Sequence, residues 1–222
     1  IELQAFQTAA NIFGAAETQS RTEKKLVRRQ LAMSLLQEIV TVSLQAANMR
    51  EMGETVTNRL AHLIGADRCF FTLWDDTNQH AIPFAAYGLE QHIYANQETK
   101  PGEMTFTQSA LNMERILIVE DTGNTAFASR SVTDSIPSKS LLVLPLIAVE
   151  KKLGAILVSF DDYHCFDEEE IQVCEQAGSF IALALEKFQA LDDAKRRADT
   201  SESLRKAGIA VAEQPELDQT VS

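Results

Sequence analysis

Three cysteines and four histidines are the residues of this chain whose types can carry nucleophilic, redox or metal chemistry. A cysteine reacts as its thiolate, so it needs a base or a cation beside it to lower its pKa. Cys69 opens a run of strand-forming residues, and Cys174 lies among apolar residues at helical spacing. Both positions read as packing. Cys165 directly follows His164, but neighbours on an extended stretch point to opposite sides, so adjacency alone makes no Cys–His pair. His62, His80, His92 and His164 show no His-x3-His spacing and no Cys-x2-Cys accompanies them, which argues against a zinc site. The run Asp167-Glu168-Glu169-Glu170 offers carboxylates for a metal or for proton transfer. Placed just ahead of an apolar helical pattern, it reads instead as an N-cap followed by acids at the positive end of a helix dipole. The basic run Lys24-Lys25-Leu26-Val27-Arg28-Arg29 has no interleaved aromatics to stack on bases, and a similar run recurs as Lys195-Arg196-Arg197. It reads as solvated helix. Gly-rich phosphate loops, a nucleophile elbow and paired catalytic carboxylates are absent. The sequence therefore predicts no catalytic residue and no metal site, and it names no cofactor.

The composition narrows the classes further. The chain has 222 residues, 45% hydrophobic and 23% charged, as an ordinary globular protein does. A net charge of −12 repels phosphate backbones and anionic membrane surfaces. No apolar run approaches the ~20 residues of a spanning helix. An odd number of unclustered cysteines without a secretory signal reads as reduced thiols in the cytoplasm.

The elements that must position these groups follow from periodicity. Residues 1–19 read as an amphipathic helix, and 18–30 as a polar helical bridge. Helix 31–47 carries Leu31, Leu35, Ile39, Val42 and Ala46 on one stripe, and a second helix, 51–64, stops at Gly65. The period then changes. RCFFTLWDD (68–76), HAIPFAAYG (80–88) and RILIVED (115–121) read as strands, with residues 122–139 as a polar loop. SLLVLPLIAVEKKLGAILVSFDD (140–162) reads as a long hairpin turning at EKKLG, and 166–188 as a helix running on through 212. Along the first strand Phe71 and Leu73 face one way and Phe70, Thr72 and Trp74 the other. The pattern predicts an α+β domain with its terminal helices on one face of an antiparallel sheet and the segment 89–139 over the other. Trp74, Phe84, Tyr87, Phe106 and Phe127 lie on or near the strands and that excursion. They line a small-molecule pocket or fill the core.

A weak internal repeat is superimposed on this order. Ser34, Leu35 and Val42 recur as Ser203, Leu204 and Val211, and Ile12, Ala15, Glu17 and Arg28 as Ile181, Ala184, Glu186 and Arg197, at one constant offset. The expected organisation is the last helix of a preceding domain (1–19), a helical linker (20–33), one whole domain (34–188), a second linker (189–202) and the start of a following repeat (203–222).

In the order and spacing of its elements the chain resembles the GAF domains, sensory and regulatory modules of signalling proteins. The resemblance covers about residues 34–190. It is carried by RCFFTLWDD after a helix ending in Gly-Ala-Asp, RILIVEDT with Asp121, SLLVLPL with Pro145-Leu146, the hairpin ending in KLGAILV, and the closing helix FDEEEIQVCEQAGSFIALALE. It implies an antiparallel sheet of five or six strands, terminal helices on one face, a small-ligand pocket on the other, and a parallel dimer through the helices. The expected dimer residues are Leu31, Leu35, Ile39, Val42 and Leu191. It also implies a tandem array of such domains in a cytoplasmic signalling protein of bacterial type, with neighbouring GAF or output domains as partners. The Asn-Lys-Phe-Asp-Glu set of cyclic-nucleotide-binding members is absent. Residues 89–139 hold no Cys such as bilin-binding and reductase members carry, and the stretch SRSVTDSIPSKS (129–140) before the Pro-Leu strand holds no His such as haem-binding members supply. The expected function is therefore a non-catalytic sensor that binds an unnamed small molecule, or a dimerising spacer with its pocket filled.

Overall fold

The computed structural model describes residues 30, 33–34, 36–42, 45–88, 102–136 and 138–212, with 207–212 as backbone. Residues 36–42 are helical and end in a break at 46–48. Helix α1 (Met49–Ile64) then starts on Asn48, whose side chain accepts the Glu51 N–H at 2.9 Å, while the Glu51 carboxylate accepts the Ala47 N–H at 3.0 Å. The helix stops where Gly65 takes the left-handed conformation with φ 71°. Strands β1 (Arg68–Asp75), β2 (His80–Tyr87), β3 (Leu117–Val119), β4 (Ser140–Ala148) and β5 (Lys151–Phe160) form one antiparallel sheet in the order β2-β1-β5-β4-β3. The α+β architecture is the one the sequence predicts, and the five strands fall within the five or six that the resemblance implies.

The centre of this sheet is apolar on both faces: every residue of β5 from Leu153 to Phe160 is buried. One face takes the helices. Met52, Val56 and Leu60 of α1 join Phe71, Leu144 and Ile156 of the sheet in one core, along with Leu36 and Ile39. Helix α4 (Glu168–Ala212) adds Cys174, Ala177, Ile181 and Leu185, at the 3–4 spacing of one helical face. It lies so close that a Cβ on Gly178 would sit 2.8 Å from Leu144 Cγ. The helix begins with a reciprocal capping box, in which Asp167 accepts the Glu170 N–H at 2.8 Å and Glu170 accepts the Asp167 N–H at 3.1 Å.

The other face is covered by α2 (Phe106–Met113), a 3-10 turn (Thr122–Asn124) and α3 (Arg130–Ser135). Reading 122–139 as loop is corrected here. Ser129 caps α3 by accepting the Val132 N–H, and Val132 and Ile136 are buried against the sheet. Six residues of helix are too few for periodicity to reveal.

The hairpin turn is also corrected. It consists of Val149 and Glu150, not EKKLG, since Ala148 pairs with Lys151. Both turn residues have positive φ, 47° and 66°, as a type I′ turn requires. The register slips between Leu146 and Ile147, and Gly154 then meets β1 so closely that a Cβ there would lie 2.0 Å from the Thr72 carbonyl oxygen. A left-handed conformation costs a non-glycine residue about 1–2 kcal/mol. Replacing Val149-Glu150 by Asn-Gly should therefore raise stability by about 1–2 kcal/mol, measured by urea denaturation. Gly154→Ala should lower it by about 3 kcal/mol or more. An unchanged midpoint in the first variant would mean that the turn is not strained.

Candidate functional site

The sheet separates the five aromatics of the expected pocket. Phe70, Thr72 and Trp74 of β1 point to the face covered by α2 and α3, and Phe71 to the helix face. Phe106 is buried on the α2 face, with Phe127 packed against the same cluster, and Trp74 contacts Ala81 and Leu111 there. Phe84 and Tyr87 are on the opposite face and are corrected as pocket residues. The register of β1 against β2 shifts between Phe71 and Thr72, where Phe71 pairs with Ala85 and Thr72 with Pro83. Phe84 is the extra residue of this bulge and turns into the helix-face core, 5.2 Å from the Phe71 ring. Its ring fills the space above Gly53 of α1, where a Cβ would be 2.5 Å from Phe84 Cε1. Tyr87 stacks obliquely on His62 of α1 at 5.2 Å.

The α2 face therefore presents Trp74, Phe106 and Phe127 with a small polar centre. Thr72 donates its hydroxyl to the Ala155 carbonyl at 3.1 Å, so the buried Thr107 hydroxyl donates to Thr72 Oγ1 at 2.7 Å. Trp74 Nε1 donates to Asp76 Oδ1 at 3.3 Å. Helix α2 supplies Thr107, Ala110 and Leu111, none of which the sequence reading singled out. A signal was present in Thr105-x-x-Gln108, since Thr105 caps α2 by accepting the Gln108 N–H at 3.1 Å. A shallow cleft of about 300 Å3 opens beside the 3-10 turn, lined by Asp121, Thr122, Thr133, Asp134, Ser138 and Lys139 among others.

The cysteines and histidines do not converge. The His164 ring lies flat on Phe160 at 4.0 Å, with Nε2 3.1 Å from Glu170 Oε2. His164 thus secures the start of α4, and Cys165 beside it is exposed. Cys69 and Cys174 are buried in the helix-face core. Burial, reinforced by Cys174, pushes the Cys69 thiol far up. Burial first, then Glu170 and Glu175, pushes Cys174 up to about 12. Among the described residues no three His, Cys, Asp or Glu side chains group as a metal site would need. No helix there is long and apolar enough to cross a membrane. His92 lies outside the described residues.

The expected dimer residues also divide. Ile39 is 0% exposed in the core of its own protomer and is corrected as an interface residue, because its side chain packs with Leu36 and Met52 in the helix-face core. Val42 is half-buried, and Leu31 and Leu35 lie outside the described residues. Leu191 is 57% exposed. It continues an outer stripe on α4 that starts with Phe180 (43%) and Leu183 (56%), opposite the buried Cys174, Ala177, Ile181 and Leu185.

A raised thiol pKa favours the folded state only while the thiol stays protonated. Its stabilisation is complete below the unfolded value of 9.0 and is lost as pH rises toward about 12 for Cys174. Native protein should therefore react with a disulfide reagent at Cys165 alone, with all three thiols reacting after denaturation. The Cys174→Val variant should lose less stability than wild type between pH 9 and pH 11, in matched urea titrations. Three fast-reacting thiols in the native protein would overturn the burial argument.

A family model described as "GAF domain" matches residues 46–186. No curated protein sequence matches the chain. Solved structures of the same fold include the GAF domain of a phosphoenolpyruvate-protein phosphotransferase from Coxiella burnetii. It is 21% identical with a TM-score of 0.66, the alignment covering 74% of this chain and 98% of that one. The corresponding Acinetobacter domain is 17% identical with a TM-score of 0.63, over 73% of this chain and 97% of that one. The free methionine-R-sulfoxide reductase of Neisseria meningitidis, solved with its substrate, is 14% identical with a TM-score of 0.61, over 72% and 91%. At these identities the structures speak for the fold, and the family match spans well over half of the sequence: the chain belongs to the GAF domain family.

Proposed function

We propose that this GAF domain is a non-catalytic sensory module of a cytoplasmic, bacterial-type signalling protein. In this reading it binds a small molecule on the α2 face and passes its state along α4 to neighbouring domains. The observation that carries the proposal is the course of α4. Up to Gln189 the helix is part of the domain's core packing, and from Ala190 to Lys206 every residue is exposed. At 1.5 Å per residue the whole 45-residue helix is about 68 Å long, more than a domain of this size needs to cover its sheet. Such an extension suits a connection to a following domain in a tandem array, with residues 1–19 and 203–222 belonging to its neighbours and 20–33 and 189–202 to the linkers.

A parallel homodimer completes the reading. Phe180, Leu183 and Leu191 share the outer stripe with Ala194 and Ala198, and these small residues allow a second α4 to approach closely along the extension. A net charge of −12, and described helices of which none is long and apolar enough to cross a membrane, fit a partner set without nucleic acid and without membrane insertion. One specific observation favours the spacer as a second reading. Phe106, Ala110 and Leu111 are at most 1% exposed, so α2 itself fills much of the face that would receive a ligand.

Native mass spectrometry of the purified chain tests both readings together. The sensor predicts a dimer carrying a co-purified small mass, and the spacer a dimer without one. Trp74, the single tryptophan, reports occupancy of its face, and its emission should shift when the bound mass is removed. Leu183→Asp and Leu191→Asp should each weaken dimerisation by about tenfold or more, since each buries a charge in an apolar seam. A monomer at high protein concentration by light scattering would overturn the dimer.

A further inference from the structure

We propose that the tip of the β4–β5 hairpin is the element that couples the Trp74 face to the point where α4 leaves the domain. The inference rests on the sensory reading above and supplies its route. The tip is anchored on both faces of the sheet by consecutive residues. On the α2 face, Ile147 packs with Trp74, Ala81 and Leu111, and Lys152 Nζ donates to Asn112 Oδ1 at 3.4 Å. On the helix face, Ala148 belongs to the core with Ile181 and Leu185 of α4, and Lys151 Nζ donates to Gln189 Oε1 at 3.0 Å. Neighbouring strand residues point to opposite faces, so 147 and 148, and likewise 151 and 152, form two short bridges through the sheet. Gln189 is the last residue of α4 before the fully exposed extension.

The geometry of the tip makes these bridges act together. Its turn has only two residues, Val149 and Glu150, both left-handed, and Val149 is 82% exposed. Ala148 pairs directly with Lys151 across this turn, so only two residues of chain are there to absorb a displacement by bending. At its base the register shift between Leu146 and Ile147 and the contact of Gly154 with the Thr72 carbonyl fix the tip against β1, two residues from Trp74. A movement of Leu111 or Trp74 therefore reaches Ile147 and Lys152, and through the tip reaches Lys151 and Gln189. Interior packing of this kind transmits small shifts, and single positions along such a route typically change coupling by less than about a factor of thirty.

Amide hydrogen exchange on the full chain tests the route. Lys152→Ala and the conservative Ile147→Val alter only the α2 side of the tip. Each should speed exchange of residues 186–192 by about threefold, although neither touches α4. Lys151→Ala should do the same for residues 108–113. The double variant Lys151→Ala/Lys152→Ala should give no more than the larger single effect, because both changes cut one route. Lys139→Ala, whose ammonium bonds Asp162 away from the tip, should leave both segments unchanged. Exchange changes confined to each variant's own face, or effects that multiply in the double variant, would overturn the proposal. The experiment reads coupling within one protomer. A chain that binds no small molecule thus removes the sensory reading without affecting the exchange result, and confined exchange removes the route without affecting the reading.

Discussion

The structure depends on one constraint: the three central strands β1, β5 and β4 are apolar on both faces. Antiparallel sheets commonly leave one face to water, and then every second residue of a strand is polar. Here β5 buries eight consecutive residues and β4 buries its first five. Each large side chain removed from water contributes on the order of 1.5–3 kcal/mol, so both faces must be covered by the remaining chain. The terminal helices are long enough to cover one. The other falls to the segment between β2 and β4, which has to fold into short helices to bring Phe106, Leu111, Val132 and Ile136 over the sheet. Any ligand on that face must share it with these residues.

The same constraint explains what was legible in the sequence. Long elements with one period were readable: α1 with its stop at Gly65, the β4–β5 pair, and α4 behind its Asp167 cap. The α+β class follows from them directly. The two sides of β1 were also readable as an alternation, although only the structure assigns Phe71 to the helices and Trp74 to α2. Short elements without a full period were not readable. Helix α3 rests on the Ser129 cap and two buried residues, and the turn at Val149-Glu150 uses residue types that no turn rule favours. Nothing in the alternation of HAIPFAAY marks the bulge that turns Phe84 to the helix side. One extra residue there divides the aromatic set that composition groups together, as a one-residue slip always does in a strand.

The apolar stripe of residues 31–47 illustrates a different limit. Periodicity shows that a helix has an apolar face but not what covers it. Ile39 uses that face for the protomer's own core. The surface open to a partner is instead on α4, which is apolar on two sides. Its inner stripe meets β4 and β5, and its outer stripe of Phe180, Leu183 and Leu191 meets solvent in the single chain. A helix apolar on opposite sides is expected where it separates two packed layers. Only the inner layer is accounted for by the domain itself.

The extension of α4 adds an energetic argument for the second layer. Its start is nucleated by the packed half of the helix, so each further residue adds one hydrogen bond without a new nucleation cost. Propagation alone is nearly neutral in water for ordinary residues, which leaves a solitary extension fraying from its far end. The pairs Asp192–Arg196 at 2.7 Å and Glu202–Lys206 at 2.8 Å support it, but such exposed pairs contribute only about 0.3–0.5 kcal/mol each. Leu191 and Leu204, both more than half exposed, contribute almost nothing while they face water. A second helix along this stripe would bury them and turn a marginal rod into a stiff one. The order of the extension would then depend on what α4 meets beyond the domain. Gln189 is the boundary between these two regimes, the packed helix held by the domain's core and the exposed one held by little more than its own hydrogen bonds.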